Sequence, residues 1–282
     1  MEENKRFLIA IDLDDTVLSS LFSLCARSVE ALIDAKQAGH RVMIATARPT
    51  AMALPYYRLL GLDTPLSVLN GARMHHPGDP SFPEENHRLS EAETAGVLRA
   101  LSAVGAEDVW LENDDELWAR GTALCDHRYF SEVMRNSRTH LCDTLPALAS
   151  CRVFARVPAA EAVERVRAAM AVYPGVQIGV FGGKGGAPFQ MSFSSVRADK
   201  WFTVQKTAAY YGIRSENIVA FGDGENDRQM VLNAARGFAM CNGSPALQRD
   251  ALAAGRRVTE KSCAEGGVAL EIAALLAGHA GE

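Results

Sequence analysis

The sequence predicts an α/β protein, a Rossmann-like parallel sheet split in two by an inserted α+β domain. Three observations point there. Short apolar runs of strand length alternate with segments of helical period near both ends of the chain. Between about residues 76 and 192 that alternation gives way to paired strands and helices in a different order. Several of the outer runs end abruptly in carboxylates, a hydroxyl or glycines, where open α/β sheets place their ligands.

The elements follow in order. Phe7 to Ile11 is a buried-type strand that stops at Asp12-Leu13-Asp14-Asp15-Thr16. Ser19 or Ser20 is placed to cap a helix on which Leu21, Leu24, Cys25, Ser28, Leu32 and Ala35 share a face, with Gly39 at its stop. Arg41 to Ala45 reads as a second strand, ending in Thr46-Ala47-Arg48-Pro49. Ala51 to Leu60 reads as a helix broken or bent at Pro55, Leu66 to Leu69 as a strand, and Asn70-Gly71 as a turn.

The breaker-rich stretch from His75 to Pro83 opens the insert. Ser90 and Glu93 form a capping box for a helix to about Leu101. Val109 to Leu111 and Leu117 to Ala119 read as a strand pair, Arg128 to Arg138 as a helix, Arg152 to Val157 as a strand and Ala160 to Val172 as a helix. Val176 to Phe181 and Phe189 to Phe193 read as a hairpin around a glycine-rich turn. The βα texture then returns. Asp199 to Tyr211 is a helix stopped by Gly212, and Ile218 to Phe221 a strand ending in Gly222-Asp223-Gly224-Glu225-Asn226-Asp227. Met230 to Ala235 is a helix, Gly237 to Met240 a strand, and Ala264 to Leu276 a last helix. The expected division is a first core part over 1–75, an insert over 76–192 and a second core part over 193–282.

Composition narrows the function classes. The 282 residues are 48% hydrophobic and 22% charged, ordinary globular usage, and enough chain for one large domain or two. A formal net charge of −5 argues against a nucleic-acid partner. No apolar run reaches transmembrane length and the first residues lack a signal-peptide core, so no membrane is expected and the expected compartment is the cytoplasm. Six scattered cysteines without a Cys-x-x-Cys pair read as reduced packing residues.

If the outer strands are neighbours in one sheet, Asp12, Asp14, Thr46, Asp223 and Asp227 converge at its carboxyl end, and Lys200 opens the helix before the strand that leads to Asp223. Carboxylates, a hydroxyl and a lysine suit one chemistry. A carboxylate attacks a phosphoryl group, an oxygen-ligated Mg2+ and the lysine neutralise the charge, the hydroxyl and backbone N–H groups bind phosphoryl oxygens, and a second carboxylate moves the proton. These motifs, in this chain order, resemble the haloacid dehalogenase superfamily. The last motif, Asn70-Gly71-Ala72 and Gly266-Gly267-Val268-Ala269 resemble its Cof-type (subfamily IIB) sugar-phosphate phosphatases, whose core carries an inserted type C2 cap. The resemblance covers about residues 5–75 and 195–275; the insert matches in position and length only.

The resemblance implies a Mg2+-dependent phosphatase acting on a small phosphorylated metabolite through an aspartyl-phosphate. Asp12 would be the nucleophile and a metal ligand. Asp14 would be the general acid/base and lend its backbone carbonyl to the metal. Thr46, Ala47, Lys200 and Asn226 would hold the phosphate, Asp223 would ligate the metal, and Asp227 would ligate it or orient through water and Lys200. Two positions depart from the family pattern: Asp15 stands where glycine is usual, and Trp201 follows Lys200 where Lys-Gly is usual, with Lys206 a second lysine on the same helix. Alternatives of other classes are a signalling receiver, which is much smaller, a non-catalytic sugar-phosphate binder, a phosphomutase and a dehalogenase.

Plainer readings apply elsewhere. Gly182-Gly183-Lys184-Gly185-Gly186 lacks the glycine and Ser/Thr that a nucleotide loop needs and reads as a hairpin turn. His75-His76 with Asp79 reads as a polar loop, Asp126-His127-Arg128 as a helix start, and Trp110, Trp118 and Trp201 as packing residues.

Overall fold

The computed structural model describes residues 6–20, 22–106, 108–126, 128–183 and 188–280. In chain order the first stretch forms β1 (Leu8–Ile11), α1 (Ala26–Gln37), β2 (Arg41–Ile44), α2 (Thr50–Leu59), β3 (Leu66–Val68) and β4 (Arg73–His75). The middle forms β5 (Glu85–Asn86), α3 (Glu91–Ser102), β6 (Val109–Asn113), β7 (Glu116–Arg120), α4 (Arg128–Asn136), β8 (Arg138–Leu141), β9 (Arg152–Val157), α5 (Ala160–Met170), β10 (Val176–Gly182) and β11 (Phe189–Ser195). The last forms α6 (Lys200–Tyr210), β12 (Ile218–Gly222), α7 (Arg228–Asn233), β13 (Arg236–Ala239), α8 (Pro245–Ala253), β14 (Arg257–Val258) and α9 (Gly267–Ala280).

The chain divides into two compact units. One comprises residues up to Ala47, Ala53–Glu84 and from Asp199 onward; the other comprises Arg48–Met52 and Glu85–Ala198. The first unit is the α/β core. Its sheet runs β14-β13-β12-β1-β2, with every pairing parallel. Leu8 faces Ile218 on one side and Arg41 on the other, and an Ala45–Ser67 bridge brings β3 beside β2. β1 is central and wholly buried, which explains its unbroken apolar run. Leu8 and Ala10 pack with Val204 and Ala208 of α6, Met230 of α7 and Ala220 of β12.

The chain between β1 and α1 differs from the helix expected from Ser19 or Ser20. The amides of Thr16, Val17 and Leu18 all donate to the Leu13 carbonyl, and Leu18 bridges both Asp14 and Leu24. Ser19 directs its amide and its hydroxyl to the Ser23 carbonyl, so it caps nothing; α1 starts at Ala26 with no side-chain cap. Leu21 lies outside the described residues. α2 runs on through Pro55 rather than ending there, since proline forfeits only one bond, the one to the Ala51 carbonyl. α8 and β14 were not anticipated. Ser244 caps α8 and Pro245 opens it, a start signal present in the sequence.

The second unit is a six-stranded sheet, β10-β11-β9-β6-β7-β8, antiparallel except for the β7–β8 pair. α3 and α5 cover one face over Val109, Leu111, Val153, Ala155 and Phe193. On the other face Trp110 and Phe154 meet Phe130 of α4 edge-on. The Ser90–Glu93 capping box forms as expected. The expected helix to Arg138 stops at Asn136, and Arg138–Leu141 joins the sheet as an exposed edge strand whose sequence carries no alternation. Lys184 to Gly186 and His127 lie outside the described residues. Among the described residues no helix is long and apolar enough to cross a membrane.

Candidate active site

Segments of the core unit carry the predicted residues, and four of these residues, Asp12, Lys200, Asp223 and Asp227, meet in one cluster. β1 gives out at Ile11, but the Asp12 amide still donates to the Phe221 carbonyl at 3.1 Å, so Asp12 stays on the sheet edge. β12 ends at Gly222, one residue before Asp223. Past β2, Thr46 donates its amide to the Ser67 carbonyl at 3.0 Å and accepts the Asn70 amide at 2.9 Å. Asp199 caps α6 by accepting the Trp201 amide at 2.9 Å, which sets Lys200 as its first residue.

The buried ammonium of Lys200 donates to Asp12 Oδ1 at 2.8 Å and to Asp227 Oδ1 at 2.6 Å. The second oxygen of Asp227 accepts the amides of Asp223 and Gly224, each at 3.0 Å. Asp227 is therefore held at both oxygens. Its close approach requires Gly222: a Cβ there would lie 2.3 Å from the Asp227 Cβ. Oxygens of Asp12, Asp223 and Asp227 all lie within 4.8 Å of one another.

One ammonium faces three clustered carboxylates. Burial pushes the Asp12 carboxyl up to about 7; Lys200 opposes the shift, and Asp227 and Asp14 add to it. Burial, then Asp12 and Asp227, push Asp223 up to about 8. Burial works against the charge on Lys200, but Asp12 and Asp227 more than offset it and hold its pKa above the usual range. The cluster is short of positive charge, and its donors are all hard carboxylate oxygens. That set fits Mg2+, not a thiolate- or imidazole-seeking metal. Among the described residues it is the one group of three or more ligating side chains this close together.

The other predicted residues take distinct places. Asp14 is half-buried and adds to the field on Asp12, but its carboxylate is not among the three clustered ones. Thr46 is buried and Ala47 half-buried. Asn226 is exposed, and its amide donates to Asn70 Oδ1 at 3.0 Å. Lys206 is exposed on α6 with its ammonium 5.4 Å from the Phe202 ring centre, so Lys200 is the lysine of the cluster. His76 and Asp79 are engaged locally, His76 with Gly78 and Asp63, and Asp79 with Ser81 and Tyr210.

Two asparagines that the sequence assigns no site role stand beside these residues. Asn70, part of the turn that carries the Cof-type resemblance, links the Thr46 carbonyl to Asn226. Asn242, just past β13, donates to the Asp15 carbonyl at 2.7 Å and accepts the Cys263 amide at 2.8 Å. It supports Asp15, whose φ is +52°. The one available signal was a polar residue at the end of an apolar strand.

Leu69, Asn70 and Gly71 are consecutive left-handed residues, with Gly71 at φ +84°. A Cβ on Gly71 would lie 2.5 Å from the backbone oxygen of Asp199, the residue before Lys200. Gly71→Ala is expected to cost roughly 2–5 kcal/mol from the left-handed backbone and the overpacking together. Urea denaturation measures it; a loss below about 1 kcal/mol would show that the turn yields freely.

The chain is similar to known hydrolases over most of its length. A family profile described as haloacid dehalogenase-like hydrolase matches residues 9–272. The chain is 29% identical over 258 residues to the 5-amino-6-(5-phospho-D-ribitylamino)uracil phosphatase YitU of Bacillus subtilis, covering 88% of this chain and 91% of that protein. It is 28% identical over 266 residues to the pyridoxal phosphate phosphatase YbhA of Escherichia coli, covering 86% and 90%. Its fold matches the crystal structure of a haloacid dehalogenase-like hydrolase from Bacteroides thetaiotaomicron with a TM-score of 0.77 at 20% identity, over 96% of this chain and all of the other.

Proposed function

Because this chain belongs to the haloacid dehalogenase-like hydrolases, as a phosphoric monoester hydrolase of the Cof type, we propose that it is a Mg2+-dependent phosphatase of a small phosphorylated metabolite, a sugar phosphate or similar monoester. The observation that carries the reading is Lys200, buried and bridging Asp12 and Asp227 with Asp223 alongside. The small phosphomonoesters named for the Bacillus and Escherichia relatives support the substrate class.

In this reading Asp12 is the nucleophile. One of its carboxylate oxygens forms a bond to phosphorus as the bond from phosphorus to the leaving oxygen breaks, giving an aspartyl-phosphate. Asp14 gives its proton to the leaving oxygen, then takes one from the water that attacks the same phosphorus and restores Asp12. Lys200 compensates the charge on Asp12 and on the incoming phosphoryl group, and Thr46 and the Ala47 backbone hold the phosphoryl oxygens. Asn226, held by Asn70, adds a polar group at the rim of this phosphate site. Asp12, Asp223, Asp227 and the Asp14 carbonyl would hold Mg2+, which when bound supplies charge neutralisation and Lewis acidity at the phosphoryl oxygens. The second compact unit is the cap domain, and the residues that select the leaving group belong to it.

Phosphate release from a panel of phosphomonoesters, with and without Mg2+, tests this. Turnover on at least one small monoester, dependent on Mg2+, is the expected result. Turnover undiminished by chelator would remove the metal from the reading, and a panel silent throughout would count against the substrate class. Binding is tested separately by heat. At about 100 times its dissociation constant, Mg2+ should stabilise the fold by about 2.7 kcal/mol and raise the melting temperature. Asp223→Ala should abolish that rise.

A further inference from the structure

Asp114 lies outside the carboxylate cluster, in the two-residue turn between β6 and β7 where Asn113 pairs with Glu116. Its backbone is left-handed, with φ at +58°, a region that Asp and Asn enter more readily than other residues with a Cβ. Its carboxylate is buried and accepts the backbone amide of Thr50 at 2.8 Å. Thr50 is the first residue of α2, where backbone amides have no partner within the helix and the helix dipole favours a negative charge.

The acceptor is fixed by the turn that carries it. Asn113 donates to the Ala149 carbonyl at 2.9 Å and accepts the Cys151 amide at 2.8 Å. Next to it, Glu112 Oε2 accepts the Nε and Nη2 of buried Arg152 at 2.9 and 2.7 Å. The turn and the Glu112–Arg152 pair beside it thus hold the Asp114 carboxylate where it accepts the Thr50 amide. Thr50 belongs to Arg48–Met52, which packs within the second unit although the chain on either side of it belongs to the first. That segment follows directly on Thr46-Ala47. The intervening Pro49 fixes its own φ and restricts Arg48, so little slack separates the helix start from the dipeptide.

We propose that Asp114 is a positioning residue for phosphate binding: by holding the amino end of α2 it fixes the backbone of Thr46-Ala47 in the conformation that receives the phosphoryl oxygens. This rests on the reading of Thr46 and Ala47 as the phosphate holders. Asp114 touches neither substrate nor metal in it and acts through four residues of chain. Nothing in the residue's neighbourhood in sequence points to this role, because the contact joins positions 64 residues apart.

The test uses the full chain with Mg2+, a phosphomonoester it hydrolyses, and inorganic phosphate as product inhibitor. Asp114→Ala and Asp114→Gly should each raise the KM and the phosphate inhibition constant by roughly tenfold, the scale expected when a binding group is misplaced by a fraction of an ångström. Their kcat, corrected for folded fraction, should change by less than about threefold. Asp114→Gly relieves the left-handed backbone and keeps the protein folded. Asp114→Asn tolerates that backbone and retains an acceptor oxygen, so it should recover most of the affinity. KM and inhibition constant unchanged in both the Ala and Gly variants would overturn the proposal. So would a loss confined to kcat and melting temperature, which marks a plain helix cap. Wild-type protein that neither turns over a monoester nor is inhibited by phosphate would overturn the phosphatase reading, and this inference with it.

Discussion

Asp12→Asn is expected to lower turnover by about 10^4-fold or more, since removing a covalent nucleophile leaves only binding and electrostatic contributions. The same variant should be at least as stable as wild type in chelator at pH 8. The sign follows from the raised pKa. An acid with an unfolded value of 3.8 and a folded value of about 7 binds its proton more tightly in the folded chain. As pH rises from about 4 to about 7, the folded state therefore loses stability relative to the unfolded one, and above both values the full penalty is present. Asn at position 12 does not incur it, and Lys200 still has Asp227. Melting curves of both proteins between pH 5 and pH 8, with Mg2+ and with chelator, measure this. A variant that retains activity would exclude Asp12 as the nucleophile. A variant clearly less stable than wild type in chelator at pH 8 would show that the Lys200 contact outweighs the burial cost.

Lys200→Met has the opposite profile and loses both function and stability. It leaves Asp12 and Asp227 buried without their one cation, and breaking a buried pair from one side costs about 3–5 kcal/mol. Turnover should fall by roughly 10^2–10^3-fold as the charge opposite the phosphoryl group disappears. Lys200→Arg should not restore it. The position is fully buried, and a planar guanidinium cannot take the place of one compact ammonium between two carboxylates. Denaturant unfolding and steady-state rates on the three proteins test this together. An arginine variant with near wild-type turnover would mean that the lysine acts only as a distant charge. Full activity in Lys200→Met would exclude any role in phosphate binding.

The core was legible because its chemistry coincides with its punctuation. Asp12, Thr46 and Asp223 stand where apolar runs stop, and in a parallel sheet those stops share one edge. Parallel pairing also makes buried strands apolar throughout, so β1 and β12 announce themselves. Elements outside that logic were missed or misjudged. β8 and β14 are short edge strands with exposed positions, and neither carries alternation or an apolar run. The helix expected from Ser19 or Ser20 forms as α1 but starts only at Ala26, because the Ser19 hydroxyl satisfies the Ser23 carbonyl instead of capping a helix. Asn70, Asn242 and Asp114 make hydrogen bonds to residues distant in sequence, partners that their sequence neighbours do not reveal.

The central place of β1 sets a timetable for synthesis. Asp12 and Lys200 are separated by 188 residues, and the β12 partner of β1 comes later still. At roughly 5–20 residues per second, an emerging chain waits about 10–40 s between making Asp12 and making the lysine that neutralises it. For that interval β1 has an unpaired edge and an apolar run with nothing to cover one side, which is a template for aggregation. The second unit is almost entirely contiguous in sequence, and its last residue precedes Lys200. Ribosome-bound chains arrested when Ala198 has just cleared the exit tunnel should therefore show a protease-resistant insert beside a chaperone-binding first segment, and the first segment should become resistant only once β12 has emerged.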